Sequence, residues 1–247
     1  LNVQKKLVGS TVSDVGLARP TTAPTIAAGA VGVLTGSYAV KVSYETADGL
    51  ESNLSEFSNS VTLSSDQLDY TDIPISPDSR VTKRNLYRTT AGGSTYYYLA
   101  DLGDNSTTTY SDNTGDSGLD TTTEAPTDNG TVAACKYGVL HKDRILTAGN
   151  STNKSRVFYS KIASATSYPD TFPADNWIDI ADDDGDIIQG LAIDPTGALC
   201  VFKTNTIRKI YTDGDPINWS VSEPFSYHGC VAPYTISESQ RGIVYLA

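Results

Sequence analysis

The stretch 137–211 restricts the fold of this chain more than any other part of it. Its centre, GVLHKDRILTAGNSTNKSRVFYSKI, runs a short apolar piece into a turn at His141, Lys142 and Asp143, then resumes as Arg144, Ile145, Leu146, Thr147 and Ala148. A polar loop over 149–155 leads to the alternating run Arg156, Val157, Phe158, Tyr159 and Ser160. Runs this short, β-branched or aromatic and closed by Gly, Asn and Asp, predict successive antiparallel strands. The pattern returns in GLAIDPTGALCVFKTNTIRKIY, around a tight turn at 194–197, and begins a third time in CVAPYTISESQRGIVYLA. The runs 144–147, 199–202 and 243–246 recur at roughly the period of a propeller blade, about 40 to 50 residues. A sheet of that size buries both faces only against neighbours. Residues 131–247 are therefore expected to form propeller-like antiparallel β-blades, an incomplete set, with a second, irregular β-sandwich as the alternative. The stop after Ala247 and the absence of Met fit a fragment or a processed product.

The clearest alternation lies upstream, in SYAVKVSYETADG. Tyr38, Val40, Val42 and Tyr44 point one way and Ala39, Lys41, Ser43 and Glu45 the other, so one face is core and the other wet. Ala47, Asp48 and Gly49 make a hairpin turn. Val61 and Leu63 form the next inward pair, and 64–78 reads as a long polar connection with Pro74 and Pro77. Leu86 beside Tyr87, a turn at 91–94, a strand over 95–102 and a last strand over 107–112 follow. The segment 26–34, with Gly29 and Gly32, reads as a loop or irregular edge. About seven short strands in about 100 residues is the quota of an immunoglobulin- or fibronectin-like sandwich, and without a Cys–Trp–Cys pattern the fibronectin type remains. The expected organisation is an N-terminal strand and linker over 1–17, with its strand over 1–8; the sandwich over 18–120; a linker over 121–130; and the blades over 131–247. The class is all-β.

Composition narrows the function. Twenty-nine acidic against 18 basic residues give a formal charge of −11, and basic residues occur only in isolated pairs such as Lys5–Lys6 and Lys83–Arg84. Phosphate contacts supply most non-specific nucleic-acid affinity, so the chain is not expected to hold DNA or RNA. A like-charged wall still lets DNA pass. No run of 18 apolar residues exists and the N-terminus lacks the apolar core of a signal peptide, so no membrane role is expected. Cys135, Cys200 and Cys230 have no CxxC spacing, which argues against zinc and against a disulfide scaffold. Cys200, between Leu199 and Val201, reads as a buried free thiol.

Two segments, GSYAVKVSYETADGLESNLSEFSNSV and NLYRTTAGGSTYYYLADLGDNSTTTYSDN, together resemble the fibronectin-like module of structural proteins in tailed-phage particles. HKDRILTAGNSTNKSRVFYSKI, NWIDIADDDGDIIQGLAI and GALCVFKTNTIRKI resemble the propeller-like part of the same proteins, and the resemblance spans about 36–247. Such proteins form rings of identical subunits, the tail tube or nozzle, at the neck or tail of short-tailed phages. The resemblance implies a virion protein whose partners are other copies of itself in a ring and adjacent neck or tail proteins, with DNA passing without specific binding.

Possible chemistry is sparse. Asp182, Asp184 and Asp186 surround a Gly turn and offer oxygens of the kind calcium takes. They lack the closing Glu and the twelve-residue spacing of an EF-hand, so a solvated turn without metal is expected, with calcium as the alternative reading. His141 and His228 have no Gly-x-Ser-x-Gly elbow to serve and read as structural or exposed. Trp177 and Trp219 each follow an Asn and read as core, with sugar stacking on an exposed ring as the alternative. Asp143, Asp179 and Glu223 are carboxylates that nothing in the sequence pairs. Phosphate loops are absent. The expectation is a structural, non-enzymatic subunit without a cofactor; the alternative is a recognition module for carbohydrate or protein.

Overall fold

The computed structural model describes residues 4–8, 10–163 and 170–247. The described residues form antiparallel sheets joined by turns and four single-turn 3-10 segments. The chain divides into two compact units, 16–130 and the combination of 1–15 with 131–247.

In the first unit, β3 (Thr25–Tyr38), β5 (Val61–Thr71) and β8 (Tyr110–Asp112) make one three-stranded sheet. β4 (Val40–Thr46), β6 (Val81–Thr89) and β7 (Tyr96–Leu102) make the other. Both contribute to a single core: Ile26, Leu34, Tyr38, Leu63, Leu68 and Tyr70 from one, Val40, Val42, Leu86 and Leu102 from the other. The alternation of Tyr38, Val40, Val42 and Tyr44 is fully buried, as its spacing requires. Six strands replace the seven expected of a fibronectin-like sandwich. The polar connection at 64–78 is largely strand, because β5 continues to Thr71. Leu63 and Leu68 are five apart, which is out of phase for one face. Ser65 absorbs the extra residue at φ 64°, and Asp66 lies opposite both Val31 and Leu34 in β3.

Along β4, where a further strand would pair, residues 51–60 run instead with a serine at every third position. The N–H groups of Ser52, Ser55 and Ser58 donate to the carbonyls of Tyr44, Val42 and Val40 at 2.9, 2.8 and 3.0 Å. Their hydroxyls accept from the N–H of the same three residues at 3.0, 3.1 and 3.0 Å. Each serine thus replaces two partners of a strand residue, and the backbone of β4 is left with no orphan groups there.

Three charged side chains, Arg84, Arg88 and Asp112, lie buried inside this unit. Arg88 Nε is 2.9 Å from Asp112 Oδ2, both side chains fully buried, at an angle too bent for a hydrogen bond, so the contact is ionic. Arg88 also reaches Asp116 at 3.0 Å and the Thr114 carbonyl at 2.8 Å, and its guanidinium lies 4.8 Å from the Tyr38 ring centroid.

The second unit opens with the hairpin of β1 (Lys5–Val8) and β2 (Thr11–Asp14). Then come two four-stranded meanders. The first comprises β9 (Tyr137–His141), β10 (Arg144–Ala148), β11 (Arg156–Tyr159) and β12 (Trp177–Asp179). The second comprises β13 (Ile188–Ile193), β14 (Leu199–Lys203), β15 (Ile207–Tyr211) and β16 (Ser220–Val221). A last hairpin joins β17 (Ser237–Ser239) to β18 (Gly242–Val244).

The propeller-like blades expected over 131–247 are corrected by this arrangement: none of the sheets closes into a propeller or a barrel. The repeat is real at the level of single sheets, since both meanders follow chain order. Their packing is layered. Leu146, Ala148 and Val157 of the first meander meet Ile188, Leu199, Val201 and Ile210 of the second in one core. The opposite face of the second meander, Ala192, Cys200, Phe202 and Ile207, takes Ile236, Ile243 and Tyr245. β14 is buried at all five positions because it is covered on both sides. A period of 40 to 50 residues specifies a four-stranded meander, and any stack of such meanders has it; closure depends on contacts the period does not encode.

Candidate functional site

The acidic turn was the foremost candidate on sequence grounds. Asp182–Asp184 form a 3-10 turn between β12 and β13, entered at Ala181 with φ 47° and left at Gly185 with φ 69°. Beneath it lies Lys203 of β14, its side chain wholly buried. The ammonium uses all three donors, on the carbonyls of Ile180 (2.8 Å) and Ala181 (2.9 Å) and on Asp184 Oδ1 (2.6 Å). Asp184 Oδ1 also accepts from the N–H of Asp186 at 2.8 Å. Burial raises the Asp184 carboxyl, but Lys203, the Asp186 N–H and Arg208 together outweigh it and the net direction is downward.

Asp186 is buried and faces the opposite strand end. Its oxygens accept from Asn205 N–H (3.1 Å), Asn205 Nδ2 (3.3 Å), Thr206 Oγ1 (3.0 Å) and Ile187 N–H (3.1 Å). Asp182 is exposed on the outer side. The three carboxylates thus point to different partners, and among the described residues no group of three or more His, Cys, Asp or Glu side chains is placed to hold a metal. A cavity of about 280 Å3 beside the turn is lined by Asn153, Lys154, Arg156, Asp179, Asp182 and Asp186. Within its wall Arg156 grips Asp179 through two nitrogens, at 2.9 and 3.3 Å.

His141 is buried at the end of β9, its Nε2 2.6 Å from Thr212 Oγ1. Burial and then Lys142 lower its pKa, against a smaller upward pull from Asp213. Asp213 itself is engaged by Lys142 at 2.6 Å. His228 is held through its backbone, its carbonyl accepting from Tyr245 Oη (3.0 Å) and Ser226 Oγ (3.1 Å). Neither imidazole is set between a carboxylate and an accessible nucleophile. Asp143 sits in the β9–β10 turn at φ 59°, Asp179 pairs with Arg156, and Glu223 is exposed near Arg208 at 3.9 Å. The fold keeps these three carboxylates in separate settings. All three cysteines are free and buried, and burial foremost pushes the Cys200 thiol up to about 11.

The two tryptophans part company. Trp219 is half-buried against the core between the meanders, its ring 4.8 Å from Tyr159 and tilted by 51°. Trp177, on the edge strand β12, is 37% exposed, with the Arg156 guanidinium 3.5 Å from its ring centroid. Arg144 lies 5.8 Å from the Tyr159 centroid and 6.0 Å from that of Trp219. Sequence reasoning did not single out these arginines. The aromatics that follow Arg156 in RVFY were the available signal, and RILTA around Arg144 offers none.

Exposed apolar side chains were a further omission. Among the described residues of the second unit, Ile217 (87% exposed), Phe225, Tyr227, Val231, Tyr234 (97%), Val244 and Leu246 all lie in the last 31 positions. No helix among the described residues is long and apolar enough to cross a membrane. Comparison of the chain with protein-family models, with characterised proteins and with solved structures finds no match.

Proposed function

We propose that this chain is a structural subunit of a short-tailed phage neck or tail complex, acting by protein–protein assembly into a ring around the DNA passage and performing no catalysis. The observation that carries this reading is the run of exposed aromatic and aliphatic side chains over 217–246. Exposed apolar side chains gathered into a patch mark association surfaces, and seven of the fourteen among the second unit's described residues fall in this one segment. A ring of identical subunits uses such a surface once per copy, so a modest contact is multiplied by closure.

Charge supports the same reading. Arg84, Arg88 and Lys203 are buried, and so are Asp112, Asp170 and Asp186, three of each sign. Burial therefore leaves the formal balance of −11 on the rest of the chain. Passing DNA would meet a net repulsive wall. The resemblance of 36–247 to phage tail components supplies the setting, a virion.

Sedimentation of the purified chain over a concentration series tests the assembly, with Tyr234→Ser and Ile217→Ser as the weakened variants. Reversible self-association that both substitutions reduce is the expected result. Images of virus particles carrying the chain on the exterior, touching no other copy, would end the reading.

A further inference from the structure

A second concavity, of about 550 Å3, is lined by Arg144, Tyr159, Asn176, Trp177, Asp215 and Ile217. It lies within the second unit, between the β10–β12 side of the first meander and the 3-10 turn Pro216–Asn218. Its size falls in the range of small-molecule sites, about 300 to 1,000 Å3.

Its polar groups differ from the Arg156–Asp179 pair of the cavity beside the acidic turn, which is joined through two hydrogen bonds. Here they face one another unjoined. The Arg144 guanidinium gives one terminal nitrogen to the Ser160 carbonyl, at 2.7 Å, and has no other hydrogen-bond partner among the described residues. Asp215 accepts from the Ile217 N–H through Oδ1, at 3.0 Å, and its Oδ2 has no partner among the described residues. The two residues influence each other electrostatically but form no ion pair within 4.0 Å. The Tyr159 hydroxyl, the Asn176 side-chain amide and the Trp177 indole N–H are likewise without hydrogen-bond partners among the described residues. Tyr159 and the half-exposed Trp177, whose ring carries Arg156 on one face, supply ring surface.

We propose that this groove is a binding site for a short neutral oligosaccharide. A sugar ring presents an apolar C–H face that packs on aromatic rings, and hydroxyls that donate and accept together. Arg144 and Trp177 offer donors, Asp215 an acceptor, and Asn176 and Tyr159 both. A hydroxyl between Arg144 and Asp215 satisfies each without requiring them to meet. The carboxylate disfavours phosphate and acidic sugars, and the crowd of unpartnered polar groups disfavours a lipid tail. The site is independent of the assembly reading and stands or falls by itself.

The test uses the whole chain and a panel of tri- and tetrasaccharides, neutral gluco-, galacto-, manno- and N-acetylglucosamine types with sialylated and uronate types beside them. Binding is read by calorimetry and by tryptophan fluorescence. At least one neutral member is expected to bind with a Kd on the order of 0.1–1 mM. Trp177→Ala and Asp215→Asn should each weaken it tenfold or more, and Asp215→Asn, whose side-chain oxygen still accepts from Ile217, should keep the parent melting temperature. The proposal is overturned by any of three results: no binding at about 10 mM, binding confined to the acidic members, or binding that Asp215→Asn leaves unchanged.

Discussion

In the 16–130 unit, a serine takes over strand pairing three times in succession; in the other unit the same exchange occurs once at each of two sheet ends. Ser160 follows β11 and Ser222 follows β16. Ser160 gives its N–H to the Ile145 carbonyl at 2.9 Å and accepts the Ile145 N–H on its hydroxyl at 2.9 Å. Ser222 does the same with Lys209, both at 2.9 Å. In all five cases the hydroxyl then donates to the carbonyl of the residue after the serine. Used once, the device ends a strand. Repeated at every third residue, it lines a whole edge, because three residues of the irregular segment advance as far as two of the strand, about 6.8 Å. An edge finished in this way offers its neighbours no free ladder.

The units differ also in what they leave uncovered. Of the large apolar side chains exposed among the described residues, four belong to 16–130 and fourteen to the other unit. The first unit covers most of its large apolar side chains; the second leaves more of them exposed. Each also buries cations: in the first Arg88 meets a buried carboxylate and Arg84 a more exposed one, and in the second Lys203 meets two carbonyls and a half-buried carboxylate.

That last contrast gives the largest expected effect. Arg88→Leu strands the Asp112 carboxylate, whose pKa burial already pushes upward, and should cost about 3–5 kcal/mol. Lys203→Met leaves Asp184 able to rehydrate and should cost about 1–3 kcal/mol. Urea unfolding followed by hydrogen exchange checks both, and equal losses would break the distinction between the two cations.

The serines come next. Ser55→Ala leaves the buried N–H of Val42 without an acceptor and should cost about 1–3 kcal/mol. Ser222→Ala, at a less buried sheet end, should cost less than about 1 kcal/mol. Thermal melts rank them, and the reverse order would show that the ladder is not what holds the β4 edge.

Acid provides a smaller effect. Burial raises the Asp194 carboxyl, but Lys209, Thr196 and the Ala198 N–H outweigh it and hold it well below the usual carboxylate range. A carboxyl lowered on folding stabilises fully above its unfolded value of about 4 and loses that contribution as pH falls through the folded value. Asp112 has the opposite sign, so acid relieves its burial. Between pH 5 and 2 the turn at Asp194 should therefore lose protection in hydrogen exchange ahead of the strand that carries Asp112. Asp194→Asn should lower stability at pH 7 by under about 1 kcal/mol and flatten the acid slope.

The smallest effect concerns His141. Because its pKa is lowered on folding, its contribution is complete above about pH 6.5 and fades as pH falls through the folded value. An NMR titration of the ring should place the midpoint below 6.5; a midpoint above it would mean that Asp213 outweighs burial.

What the amino-acid order determined is local. Alternation through Tyr38, Val40, Val42 and Tyr44 specified a strand and its buried face, because a strand's side chains have period two wherever it lies. Asp194 to Gly197 specified a turn, since the Asp side chain accepts from the N–H groups of Thr196 and Ala198 within the same few residues. The Leu199–Cys200–Val201 run specified burial on both faces. Tertiary structure decided what depends on distant partners. The phase of β5 was illegible because the Ser65 bulge breaks the period, and the role of the serines in 51–60 was illegible because they act as acceptors only beside β4. The sheets' layering without closure is a matter of which faces meet, and identical meanders can meet in several ways. Asp184 and Asp186 looked free to share a cation until Lys203, Asn205 and Thr206 arrived from β14 and the loop after it. Arg144, Trp177 and Asp215 are separated by 33 and 38 positions, and no sequence spacing could announce a groove that exists only because the fold brings them to one place.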